Sequence, residues 1–408
     1  MKKLLLPILG IFTLAQLACT GQKSKPTGDN NTPGSVETNP ANTSYKPAFA
    51  GQTRVAAVKT TTPIVVAQLA SGIGRPWAVV PLPDGRLLIT EKSGFMEIRS
   101  ATNGQLLKKI TGLPAVEDRG QGGLLDVVPD PQFTSNKVIY WAHSERQGSG
   151  NLTAIAKGNL NATETGIENV QVIFRATPAL NSSLHFGCRL LFGRDGFLYA
   201  SIGERSIMEG RVQAQQLNSG LGKIMRLTTD GRPAPGNPFA NTANAMPEIW
   251  SYGHRNPQGL AMHPATGDIW ENEFGPRGGD ELNLVQAGKN YGWPSITYGI
   301  EYAGGAISSG ATQRAGMEQP VYYWDPVISP SGMTFYAGNA IPEWQNNLFI
   351  ACLSGLHVAR LVIDSNNKVV GEERLLTDQT ERFRDIAFWD GKLYVVTDSG
   401  KLLVVRRA

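Results

Sequence analysis

Asp195-Gly196-Phe197-Leu198-Tyr199-Ala200 reads as a tight turn leading into a short apolar strand, and the same reading recurs along the chain. Asp84-Gly85-Arg86-Leu87-Leu88-Ile89-Thr90 and Asn136-Lys137-Val138-Ile139-Tyr140-Trp141 precede it. Thr266-Gly267-Asp268-Ile269-Trp270, Asn346-Asn347-Leu348-Phe349-Ile350 and Asp390-Gly391-Lys392-Leu393-Tyr394-Val395-Val396 follow it. Gly, Asn and Asp tolerate the turn geometries that join antiparallel strands, and β-branched and aromatic side chains suit a pleated, half-buried surface. Six copies, spaced by roughly 45 to 80 residues without a sustained helical period, predict an all-β chain folded as a six-bladed β-propeller. Radial repetition of small antiparallel sheets protects their edges. A pair of β-sandwich domains would use the same strands and stays open on the pattern alone.

Outward from the repeats, the N-terminus carries an address. Met1-Lys2-Lys3, the apolar run Leu4 to Leu17 and then Ala18-Cys19 have the charged, apolar and small-residue order of a secretory signal, too short for a comfortable membrane span. The Leu17-Ala18-Cys19 ending resembles a bacterial lipoprotein signal over residues 1–19, with Cys19 lipidated and holding the protein to a membrane surface. That predicts an exported, periplasmic or outer-membrane lipoprotein, with plain secretion as the alternative. Residues 20–62, rich in Ser, Thr, Asn, Pro and Gly, are expected to form a flexible tether, with the folded domain over 63–408. The 38 Lys and Arg barely outnumber the 34 Asp and Glu and form no basic run, so nucleic acid is not an expected partner. Cys188 and Cys352, far apart in sequence, are read as buried free thiols, and no Cys/His cluster indicates zinc.

Polar, rigid and turn-forming residues concentrate in Tyr252 to Trp293, between the third and fifth copies, where insertions would build the mouth of the central channel. Within it, Gly275-Pro276-Arg277-Gly278-Gly279-Asp280-Glu281 has the composition of a loop whose carbonyls converge on a hard cation, although a solvated hairpin loop has the same composition. Of the five histidines, His185 lies just ahead of a repeat strand that ends in Gly203-Glu204-Arg205. Two strands of one hairpin would bring Glu204 beside His185, fixing the tautomer of the imidazole and raising its basicity.

Several motifs in order then carry a resemblance. Arg119-Gly120-Gln121-Gly122-Gly123, His185-Phe186-Gly187-Cys188-Arg189-Leu190, Gly222-Lys223-Ile224-Met225-Arg226, Gly253-His254-Arg255-Asn256-Pro257-Gln258-Gly259, Gly275-Pro276-Arg277-Gly278-Gly279-Asp280-Glu281, Asn290-Tyr291-Gly292-Trp293-Pro294 and Arg382-Phe383-Arg384-Asp385 look like the soluble PQQ-dependent aldose sugar dehydrogenases of the glucose/sorbosone dehydrogenase family. The resemblance covers the chain from about Gly72 onward and implies a six-bladed propeller that oxidises aldose sugars to lactones with PQQ and calcium. It implies His185 as the general base, Glu204 as its orienting partner, and Arg255 as the stabiliser of charge on the reduced cofactor. It also implies Gln121, His185, Arg255, Asn256, Arg382 and Arg384 around the cofactor. The Gly275 and Pro276 carbonyls would hold its calcium, and Glu281 and Tyr291 a second, structural calcium. The sequence departs from the family at Ser354 and Val327, where relatives place a Lys and a Ser or Thr against the cofactor, and at Cys188, where Gly is usual, which would set a thiol near the quinone. A propeller that only binds a sugar or a protein, or a calcium-dependent lactonase, are the alternative readings. The preferred sugar and the electron acceptor are not legible.

Overall fold

The computed structural model describes residues 34–408. The expected signal over 1–19 and the first part of the expected tether, 20–33, lie outside the described residues. Six four-stranded antiparallel sheets make up the domain. Blade 1 comprises Pro76–Pro81, Leu87–Glu91, Phe95–Arg99 and Leu106–Ile110, and blade 2 comprises Leu124–Pro129, Val138–Gln147, Gly150–Leu160 and Ile167–Arg175. Blade 3 runs Gly187–Phe192, Leu198–Ile202, Lys223–Leu227 and Ile249–Tyr252, and blade 4 runs Pro257–Met262, Ile269–Glu273, Asp280–Leu284 and Tyr322–Trp324. Blade 5 is Pro330–Phe335, Leu348–Cys352, Val358–Ile363 and Val369–Leu375. Blade 6 takes Phe383–Trp389, Lys392–Thr397 and Leu402–Arg407 from the C-terminus and its outer strand, Ile64–Ala70, from the start of the domain. That strand pairs Ile64 with Arg407 through to Ala70 with Leu402, and the Ala408 N–H donates to the Pro63 carbonyl at 2.9 Å, closing the ring.

All six repeat copies lead into the second strand of a blade, as the turn signals predict. Gly85, Lys137, Gly196, Gly267, Asn346 and Gly391, in the turns that precede those strands, all have positive φ, a conformation that favours Gly and Asn. The first strands of neighbouring blades pack against one another around the central axis. The core lies between blades, not within a sandwich. Trp77, Leu125, Phe186, Leu198 and Ile249 join blades 1 to 3, while Trp270, Leu282, Trp324, Phe335, Ile350 and Leu361 join blades 4 and 5. Cys188 and Cys352 are free and fully buried, as expected.

The expected flexible tether gives way over residues 34–62, which lie against blades 4 and 5. The Asp325 carboxylate accepts from Asn42 N and Nδ2 at 2.8 and 3.0 Å and from Thr43 N and Oγ1 at 3.0 and 2.8 Å. Gln52 Nε2 donates to Pro320 O at 2.9 Å, Thr60 caps Glu373, and Ala57 bridges Glu372. The compositional argument failed here because the strap has little core of its own. Its polar backbone and short side chains are satisfied by carboxylates on the blades.

Candidate active site

A cavity of about 580 Å³ opens at one mouth of the central channel. Each blade meets it with the loop before its first strand, the loop after its second, or both. Blade 1 contributes Arg75 and Lys92, blade 2 Gln121, blade 3 His185, blade 4 Arg255, Gly275 and Pro276, blade 5 Ser329 and Ser354, and blade 6 Arg382, Arg384 and Asp398. The repeat turns, which join first strands to second, therefore sit at the opposite face.

His185 and Glu204 flank the first hairpin of blade 3, where Gly187 pairs with Ile202. A side chain on Gly203 would collide with the His185 carbonyl, so the two ends of the hairpin can close only over glycine. His185 Nδ1 lies 2.7 Å from Glu204 Oε1. An ionised carboxylate can only accept, so the proton is assigned to Nδ1 and the lone pair to Nε2. The backbone fixes the rest of the pair: Gln121 Oε1 accepts the His185 N–H at 2.8 Å, and Glu204 Oε2 accepts the Ser206 N–H at 3.0 Å. Burial and the Arg255 guanidinium push His185 down to about 4, against the opposing pull of Glu204, so the ring is neutral near pH 7. Arg205 bolts the histidine loop from behind. Its buried guanidinium donates to the carbonyls of Asn151, Ser182 and Leu184 at 2.9, 2.6 and 3.1 Å and stacks 3.7 Å from the Phe186 ring.

Arg255 Nη1 donates to the Phe274 and Gly275 carbonyls, both at 2.8 Å, and Nη2 reaches Tyr302 Oη at 3.3 Å. Its Nε has no partner among the described residues. Asn256 stands behind the wall, with Oδ1 accepting from Gly187 N and Gln258 Nε2, both at 3.2 Å, and Nδ2 unpartnered. Of the cofactor contacts expected from sequence, Asn256 alone is absent from the lining. The Gly275–Pro276 turn is held by Asp280, whose carboxylate accepts Gly275 N at 2.7 Å and the Ile328 and Ser329 N–H groups at 2.8 and 2.6 Å. Burial pushes Asp280 up to about 7.

On the wall of blade 6 Arg382 and Arg384 share one carboxylate, Asp398, with Nε contacts of 2.9 and 2.8 Å. Ser354 Oγ lies 2.7 Å from Ser329 Oγ, and Val327, whose side chain has no hydrogen-bonding group, also lines the cavity. The expected proximity of Cys188 to the cofactor is not found. The thiol is fully buried in the cluster with Trp77, Phe186 and Ile202 and does not line the cavity.

Glu281 and Tyr291 do not line the catalytic cavity; they border a small pocket behind the Gly275–Pro276 turn. Glu281 sits opposite Glu273 in the ladder of blade 4, and Tyr291 stacks on His254 with centroids 4.6 Å apart. His254 Nδ1 is 3.4 Å from Glu271 and 3.5 Å from Glu273, and the ligand atoms of these three residues lie within 4.8 Å of one another. Burial alone would lower His254, but the two carboxylates outweigh it and raise it to about 9. Burial and the neighbouring Glu273 raise Glu281 well above the usual carboxylate range.

The arrangement fits an anionic, acceptor-rich cofactor. Cations line facing walls, Arg255 Nε is a buried donor without a partner among the described residues, and the Phe274 and Gly275 carbonyls converge at one end. Sequence reasoning did not single out Arg75, Lys92, Tyr302 or Asp398, or assign Asp280 its supporting role. For Lys92 and Asp398 the signal was positional, since the residues just past the second strand of a blade face the mouth in blades 1, 4, 5 and 6.

A buried imidazole–carboxylate pair opening onto a cation-walled cavity at the mouth of a six-bladed propeller defines an enzyme-like general-base site facing an anion-binding cavity. The glucose/sorbosone dehydrogenase family model matches residues 73–404. The chain is 42% identical over 343 residues to the aldose sugar dehydrogenase YliI of Escherichia coli, covering 83% of this chain and 91% of that protein. The apo form of the soluble aldose sugar dehydrogenase from Escherichia coli superposes with a TM-score of 0.80 at 41% identity, covering 85% of this chain and 100% of that one. The PQQ-bound aldose sugar dehydrogenase from Streptomyces coelicolor does so with a TM-score of 0.69 at 28% identity, covering 85% and 99%. The chain belongs to the glucose/sorbosone dehydrogenase family. The resemblance read from its motifs is borne out at the level of fold, family and enzyme class.

Proposed function

We propose that the protein oxidises aldose sugars at the anomeric carbon to lactones, using PQQ and calcium. The observation that carries this reading is the buried His185–Glu204 pair, 2.7 Å apart, on the wall of a cation-lined cavity. His185 Nε2 takes the proton of the anomeric hydroxyl, and Glu204 stabilises the imidazolium that results. When bound, PQQ supplies the two-electron acceptor for the hydride leaving that carbon, and calcium supplies Lewis acidity at its carbonyl. Gln121, Arg255, Arg382 and Arg384 would hold the cofactor, with Asn256 supporting the wall behind them through Gly187 and Gln258. The Gly275 and Pro276 carbonyls would hold its metal, with the Gly275 oxygen shared with Arg255. Arg255 would supply the positive charge that stabilises the reduced cofactor. A second, structural calcium at Glu281 and Tyr291 would lie beside the His254, Glu271 and Glu273 cluster, whose carboxylates include an unpartnered Glu271 Oε2. The signal over residues 1–19 supports export and anchoring through a lipid on Cys19, testable by mass analysis of the mature N-terminal peptide.

The test of the function is a titration of the metal-stripped protein with PQQ, with and without calcium, followed by an aldose. Calcium-dependent binding, then conversion of the quinone spectrum to its reduced form with release of lactone, is the expected result. Absence of PQQ binding, or of sugar-dependent reduction, would overturn the reading.

A further inference from the structure

The cavity's cations are not equally committed. Arg382 and Arg384 share Asp398, and Arg75 Nη2 is 2.6 Å from Asp118. Arg255 is spent largely on the Phe274 and Gly275 carbonyls. Lys92 lines the same cavity on the wall of blade 1, and among the described residues no carboxylate forms an ion pair with it. Its Nζ makes one hydrogen bond, to Gly120 O at 2.8 Å, so an ammonium with three N–H donors has two left over.

The backbone beneath it is fixed. Lys92 N donates to Arg75 O at 3.1 Å, and Lys92 O accepts from Leu124 N at 2.9 Å, tying the residue to the first strand of blade 2. Glu91, buried beside it, accepts from Arg75 N and Ser93 N at 2.9 and 2.8 Å, which holds the turn on both sides. Only the flexible stem of Lys92 is free to swing, and it ends in the cavity. Burial, together with the neighbouring charges of Arg384 and Arg75, holds the ammonium below the usual lysine range; this is the environment of a cation that an anion would stabilise. On blade 5 Ser354 and Ser329 satisfy each other and the Val327 side chain offers no donor, so that wall contributes no competing positive charge.

Resting on the reading of the cavity as a PQQ site, we propose that Lys92 binds a carboxylate of the cofactor, supplying from blade 1 the positive charge that blade 5 lacks. Lysine suits the task as a mobile point charge, whereas the paired arginines on the adjoining blade 6 are already half neutralised by Asp398.

The experiment compares the wild-type chain, Lys92→Met and Lys92→Arg in calcium-containing buffer. Binding of PQQ and of its trimethyl ester is followed by the quinone absorbance, with thermal melting of each apo protein as the control for folding. Loss of one charge-assisted contact predicts a Kd for PQQ raised roughly ten- to hundred-fold in Lys92→Met, recovered to within a few-fold in Lys92→Arg. The ester, which has no carboxylate charge, should bind the wild-type protein and Lys92→Met alike. If Lys92 merely caps Gly120, the substitution will weaken acid and ester equally, or leave both unchanged, and either result overturns the assignment. Failure of the wild-type protein to bind PQQ would overturn the cofactor reading as well, whereas wild-type binding with an unaffected Lys92→Met removes Lys92 alone.

Discussion

Replacing Glu204 by Gln puts the proton assignment of the base to a quantitative test. Glu204 Oε2 accepts the Ser206 N–H at 3.0 Å, and Oε1 faces His185 Nδ1 at 2.7 Å. A glutamine that keeps its carbonyl on Ser206 turns its NH2 towards Nδ1. The imidazole must then carry its proton on Nε2, where it cannot act as a base. Flipping the amide restores the working tautomer but sets two donors against each other at a site only 1% exposed. An unsatisfied buried donor costs about 1–3 kcal/mol, so the working arrangement falls to about a tenth of molecules or fewer. The imidazolium also exchanges a charge-assisted bond for a neutral one, worth about 1 kcal/mol, or roughly a further factor of five. Together these predict a kcat lower by about two orders of magnitude, measured as sugar-dependent dye reduction at saturating PQQ and calcium. Affinity for PQQ should stay within a few-fold, because Glu204 does not line the cavity. A Glu204→Gln enzyme turning over within threefold of wild type would refute both the tautomer argument and the assignment of His185 as base.

His185 should titrate near 4 by NMR of ring-labelled histidine, with the acid limb of kcat/KM falling in the same range, and Arg255→Met should move the titration upward by removing the neighbouring cation. A value at or above 6.5 in the wild-type protein would contradict the burial and the arginine that depress it. His254→Leu leaves Glu271 and Glu273 buried without their cation, so the melting temperature should drop by several degrees at pH 7. His254 is raised in the folded state, so the stability it lends is full below about pH 6.5 and fades as pH climbs through about 9. The gap in melting temperature between the two proteins should narrow over that window. A chain beginning at Pro63 strips Asp325 of its four strap hydrogen bonds and uncovers the cluster of Tyr322 and Trp324 that Val55 covers, and should melt lower than the chain that keeps residues 34–62. Unchanged melting would show that the strap is decorative.

The propeller was legible because its repeat is written in backbone chemistry. Asp84-Gly85, Asp195-Gly196 and Asp390-Gly391 announce positive-φ turns, and the strands after them are apolar enough to be recognised. His185 and Glu204 were legible for a related reason, since a hairpin forces its two ends together. The cation wall was only half legible. Arg382 and Arg384 sit in a distinctive run, but Lys92-Ser93-Gly94 reads as an ordinary hairpin tip until the blades are arranged around the axis. The strap was misread because its anchors, Asp325, Glu343 and Glu373, lie some 280 to 310 residues away in the chain. Local composition carries no trace of such partners. The same holds for Cys188, whose neighbourhood is set by side chains from other strands.

The seam in blade 6 also decides how the ring yields to force. Residue 63 and residue 408 meet at the same end of the ladder between Ile64–Ala70 and Leu402–Arg407. A pull on those two points therefore loads one rung at a time, as in opening a zip, and not all rungs in shear. Tension applied between residues 63 and 408 should part the ring at this seam at low force, with blades 1 to 5 still folded.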